Sequence, residues 1–169
     1  MSVWQVIGKN LLGFDLLIFI TAAFNGVCYY FARLYTNSLY RQLHMVVFVP
    51  SHRKNPEKIA KAIRDLDEGA VVELRKRSEG LYSIFANVTA IFPLLGILGT
   101  VVSLLPMVAD MADMQQNFFA ALTSTFWGLV FAIIFKLLDG FLGSRIEDND
   151  KNVTLLLERR ELLREEEKK

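Results

Sequence analysis

The sequence predicts an all-α, polytopic membrane protein with three transmembrane helices, its amino terminus outside and its carboxyl terminus in the cytoplasm. Two observations carry this. Charged residues are gathered into blocks that leave three apolar runs, bracketed by Asp15 and Arg33, by Glu79 and Asp110, and by Asp113 and Lys136. Each run supplies most of the roughly 20 apolar residues that a membrane-spanning helix requires. The flanking blocks also differ in sign: basic residues crowd the stretch between the first and second runs and the tail after the third, whereas the link between the second and third has Asp110 and Asp113 and no Lys or Arg. Basic flanks mark the cytoplasmic side, so all the flanks give one orientation. The expected layout is one three-span membrane domain over residues 1–169, with spans at about 11–34, 82–108 and 115–138, a cytoplasmic loop at 35–80 and a cytoplasmic tail at 139–169.

The first span is the weakest, because only Leu16 to Ala32 is free of charge. It must hold Asp15 near the outer interface, in an interfacial or helix-capping role, and let Tyr29, Tyr30 and Arg33 reach the other side. A cleaved leader is disfavoured: Lys9 is the one basic residue ahead of this run, and cleavage near Ala23 would leave the most basic segment outside. In the loop, Asn55 is a plausible helix cap and Pro56 a first helical position. Ile59, Ala62, Ile63, Leu66, Ala70 and Leu74 then fall near one face, which predicts a short amphipathic helix.

The second span contains residues that weaken a helix. Thr89, Pro93, Gly96, Thr100 and Ser103 recur at four, three, four and three, so they form one narrow stripe of small or polar groups. The third span has a matching stripe in Ala121, Thr125, Gly128 and Ala132, with Ser124 beside it and Phe118, Phe119, Phe126, Phe131 and Phe135 supplying bulk. Small residues let membrane helices approach closely where lipid provides no hydrophobic drive. Periodicity leaves two readings of the stripes open, a packing surface and the lining of an ion path. In the tail, Leu155 with Leu162 and Leu156 with Leu163 recur at seven, which suits a helix that prolongs the third span and packs against copies of itself; a solvated helix is the alternative.

Chemistry-bearing patterns are sparse. Cys28 is single and sits in an apolar run, and His44 and His52 have no neighbouring ligand pattern, so neither a disulfide framework nor a metal site is expected. No phosphate-binding glycine loop, nucleophile elbow or cofactor motif is present, and a formal charge of +1 points to no nucleic acid. The expectation is a protein that is not an enzyme and carries no cofactor.

The two stripes sit in the stretches "FPLLGILGTV" and "AALTSTFWGLVFAI". Together these resemble the paired signature of the MotA/TolQ/ExbB proton channel family, in which the penultimate span reads approximately Ala-Pro-x-x-Gly-x-x-Gly-Thr-Val and the last Ala-Leu-x-x-Thr-x-x-Gly-Leu-x-x-Ala-Ile. Pro93, Gly96, Gly99, Thr100 and Val101 occupy the first pattern; Ala121, Leu122, Thr125, Gly128, Leu129, Ala132 and Ile133 occupy the second. The three-span layout resembles the TolQ/ExbB branch, though Ala120 stands where the ExbB pattern has a glutamate, Ile134 replaces a proline and Ser103 a glycine.

The resemblance implies a pentamer of this subunit around single-span partners of the ExbD/TolR/MotB kind, in a bacterial cytoplasmic (inner) membrane. Such an assembly couples proton flow, less readily sodium flow, to mechanical work. Thr100 and Thr125 align with the family's threonines on the ion path. Neither the second nor the third run holds a carboxylate or histidine, so the implied proton carrier is an Asp in the partner's membrane helix. The competing expectation is a passive oligomeric scaffold whose stripes only pack helices.

Overall fold

The computed structural model describes residues 14–47, 67–109 and 114–166. They form three helices in chain order: α1, Phe14–Val47; α2, Glu68–Ala109; and α3, Met114–Glu166. Each has a stretch long and apolar enough to cross a membrane. All three run well beyond the expected spans. At 1.5 Å per residue, the 53 residues of α3 extend about 80 Å, far more than a hydrocarbon core of about 30 Å needs. The tail is thus one continuous helix with the third apolar run.

Asp67 starts α2. Its side-chain carboxylate accepts a bond from the Gly69 amide at 2.9 Å and its carbonyl one from Val71 N at 3.2 Å, which satisfies donors that a helix start leaves free. Ala70 and Leu74, expected on a separate amphipathic helix, therefore belong to α2; the remainder of that expected helix, 55–66, lies outside the described residues.

The chain divides into two compact units, and each helix contributes to both. Of the described residues, the first unit takes 14–28, 83–109 and 114–140. Its centre is aromatic: Phe92 stacks on Phe135 with centroids 5.3 Å apart, Phe85 meets Phe135 edge-on at 6.0 Å, and Phe19 packs on Trp127 at 5.0 Å. Phe85 and Phe92 are fully buried. Yet only 22% of the most apolar windows of α2 and α3 is buried within the chain, and Leu94, Leu105, Ile133 and Leu137 are each more than 60% exposed. Apolar surface on this scale requires lipid or further chains to cover it.

The second unit takes 29–47, 67–82 and 141–166. Leu39, Leu43, Val71, Val153 and Leu156 form its core, with Leu74, Leu157 and Leu163 packed around them. Polar groups tie the helices at its edge. Buried Asn149 donates to the Thr36 carbonyl at 2.9 Å, Arg145 donates to Asn37 at 2.9 Å, and Arg75 pairs with both Glu79 and Asp150. The hydrogen bond to Glu79 raises the Arg75 pKa against partial burial, so its charge is fixed. The two seven-residue leucine pairs divide: Leu156 and Leu163 pack inside this unit, while Leu155 and Leu162 are exposed.

Candidate functional site

Close approach of α2 and α3 builds the site. Small residues permit it: a Cβ on Gly128 would lie 2.8 Å from Gly96 Cα and 2.8 Å from the Phe92 carbonyl oxygen, and one on Gly96 would lie 3.3 Å from Thr125 Cα. Backbone therefore meets backbone at Gly96 and Gly128, as small-residue membrane interfaces do. At the same contact the Thr125 hydroxyl reaches across to the Gly96 carbonyl, 3.4 Å away. One step along α3, Ser124 packs against Gly99, where an added Cβ would lie 2.5 Å from the Ser124 Cβ. Ala121, one turn before Thr125 on α3, is buried.

The other members of the two stripes are placed differently. Thr89 is buried; it donates to the Phe85 carbonyl on its own helix at 2.8 Å and accepts from Asn25 Nδ2 of α1 at 3.0 Å. Thr100 is half-buried and donates to the Ile97 carbonyl of its own helix at 2.5 Å. Pro93, Ser103 and Ala132 are half-buried. The structure thus gathers Gly96, Gly99, Ser124, Thr125 and Gly128 into one contact and sets Thr89 in a second, with α1.

Sequence reasoning expected α1 as a span but missed the polar residues on its buried face. Its buried face in this unit is Asp15, Ile18, Ala22, Asn25 and Cys28, at spacings of three, four, three and three. Two of these five are strongly polar. Asn25 is fully buried, and Asp15, expected at an interface, is only 2% exposed. Ser124 donates to Asp15 Oδ1 at 2.5 Å, and Asp15 Oδ2 has no hydrogen-bond partner among the described residues. The signal that could have found them is the helical spacing of Asp15 and Asn25 with Ile18 and Ala22, which puts both on the face most apolar helices turn inward.

Among the described residues no group of three or more His, Cys, Asp or Glu could hold a metal ion. Between Met114 and Phe135 of α3, and between Gly80 and Ala109 of α2, the sequence has no charged side chain. What the arrangement offers is hydroxyls, a carboxyl and backbone carbonyls, groups that can donate to or accept from a proton or ion.

A profile of the MotA/TolQ/ExbB proton channel family matches residues 32–154. Neither a curated protein nor a solved structure matches the chain. The matched stretch covers most of the chain and contains both motif-bearing segments, on the helices that meet at Gly96 and Gly128. The chain is thus a multi-pass membrane protein that belongs to the MotA/TolQ/ExbB proton channel family.

Proposed function

We propose that this chain is the ion-conducting subunit of a motor driven by the ion-motive force, in which proton flow is coupled to work through a single-span partner. It acts as a homo-oligomer, a pentamer, in a bacterial cytoplasmic membrane, with the amino terminus outside and the basic loop and tail inside. The observation that carries this is the position of Thr125: its hydroxyl is aimed at the Gly96 carbonyl where the two family motifs pack, in a region without fixed charge. An elementary charge crossing the membrane potential releases about 2.3 kcal/mol per 100 mV, so a few charges per step suffice to displace packed helices.

Flux measurements test the role of the hydroxyls. Thr125→Val and Thr100→Val keep shape and delete a hydroxyl, so both variants should assemble normally while partner-dependent ion flux in liposomes falls by about tenfold, the rate equivalent of roughly 1.4 kcal/mol. The scaffold reading draws on Thr100, whose hydroxyl is already bonded to its own helix, an ordinary packing arrangement for threonine in apolar surroundings. Full flux in both valine variants would favour it.

Orientation has its own test. A cysteine placed at Asp113 should react with a membrane-impermeant thiol reagent added outside intact cells, and one placed at Lys61 should not. The reverse pattern would turn the proposed topology over.

A further inference from the structure

The geometry points to a proton-binding site on this chain itself: the Asp15 carboxyl, with Ser124 as its relay. Asp15 lies outside the stretch that the family profile matches. Its side chain is 98% buried by the packing of α1 on α3, with the Phe14 ring reaching Gly99 of α2. The geometry at Ser124 is compatible with two bonding states. The hydroxyl lies 2.5 Å from Asp15 Oδ1 and 3.1 Å from the Ala120 carbonyl, both acceptors, yet a hydroxyl has one proton to donate.

An ionised Asp15 takes that proton bond and leaves the Ala120 contact unmade. A protonated Asp15 donates to Ser124 Oγ, Ser124 donates to Ala120 O, and both contacts are hydrogen bonds at once. Gain of a proton at Asp15 therefore reverses the direction of the Ser124 bond without moving a heavy atom. The proton that reverses this bond sits on Oδ1, while Oδ2 is buried and has no hydrogen-bond partner among the described residues.

Among the described residues no cation pairs with Asp15. The other ionisable side chains among the described residues of this unit are Cys28, Lys136 and Asp139. Cys28 lies thirteen residues along α1, about 20 Å, and Lys136 lies twelve residues beyond Ser124 on α3, about 18 Å, bonded to Asp139 at 2.6 Å. From α2 no charged group faces the site. Ser124 also precedes Thr125, so the site stands one residue from the proposed ion path. That this proton is one the motor uses rests on the ion-conducting reading above; that the site binds a proton does not.

The test uses the full chain, purified with its native partner and reconstituted in liposomes. A hydrophobic carbodiimide, which adds to protonated carboxyls in apolar surroundings, should modify Asp15, as read by mass spectrometry, and the yield should fall as pH rises. Asp15→Asn, which keeps the shape and a hydrogen bond to Ser124, should assemble normally and lose at least about tenfold in proton flux. Ser124→Ala should keep the adduct and lose flux. Absence of an adduct on the folded wild-type protein at any pH, an adduct indifferent to pH, protection by sodium at constant pH, or undiminished flux in Asp15→Asn would each overturn the proposal. If the wild-type complex passes no ions under any gradient, the ion-conducting reading fails, and the pH dependence of the wild-type adduct still decides whether Asp15 binds a proton.

Discussion

Gly128→Ala should destabilise the protein by about 1–3 kcal/mol, whereas Gly140→Ala, on the same helix, should be neutral or stabilise it by up to about 1 kcal/mol. Alanine is the better helix former at either position. At Gly140 an added Cβ meets nothing within 4 Å, so that preference acts unopposed. At Gly128 the methyl would lie 2.8 Å from Gly96 Cα, 2.8 Å from the Phe92 carbonyl oxygen and 3.0 Å from Gly96 N. All three are backbone atoms, so no side-chain rotation can relieve the collision and α2 must move away from α3. Thermal unfolding of the purified protein, followed by fluorescence of Trp127 nearby, checks this: the midpoint should drop by the order of 5 °C for Gly128→Ala and hold or rise for Gly140→Ala. Equal behaviour of the two variants would mean that the helices do not pack through Gly128.

The second large effect belongs to the other unit. Leu156→Ala should cost about 2–5 kcal/mol, because its side chain is 2% exposed among Leu39, Leu43, Val71 and Val153. Leu155→Ala, one residue away with 44% exposure, should stay within about 0.5 kcal/mol. Amide exchange at Val71 and Val153 reports the difference: protection there should fall sharply in the first variant and not in the second. Should Leu155→Ala prove as damaging as Leu156→Ala, the exposed leucines would be covered by another copy in the assembly.

Much of the architecture was legible because charge and apolarity separate so cleanly along the chain. Long uncharged runs leave a backbone in lipid only one way to satisfy its hydrogen bonds locally, and the helix is that way. The stripes were legible too. Glycine and threonine spaced by three and four put a narrow, small-residue face on an apolar helix, which lets a second helix come close, and the structure brings Gly96, Thr125 and Gly128 into contact. Two things escaped for definite reasons. A seven-residue spacing gives both Leu155/Leu162 and Leu156/Leu163 equal standing, and only the packing of α1 and α2 in that unit decides which pair turns inward. Asp15 escaped because a carboxyl at the end of an apolar run reads as an interfacial anchor; the residue that receives it, Ser124, is 109 positions away.

Two prolines in α2 give that helix points of unequal stiffness. Proline has no amide proton, so Pro93 leaves the Thr89 carbonyl, and Pro106 the Val102 carbonyl, without the usual bond from four residues ahead. Each is a place where a helix bends at low cost. Pro93 is clamped on both sides: Asn25 bonds Thr89 one turn before it, and the Gly96 contact with Gly128 and Thr125 follows one turn after. Among the described residues no such pair of clamps flanks Pro106, and Val102, Leu104 and Leu105 are all exposed. Strain delivered to α2 should therefore be absorbed as bending in its last two turns, while the segment from Thr89 to Thr100 moves as a stiff piece. A helix built this way keeps its hydroxyl positions fixed under load and puts its compliance at its far end.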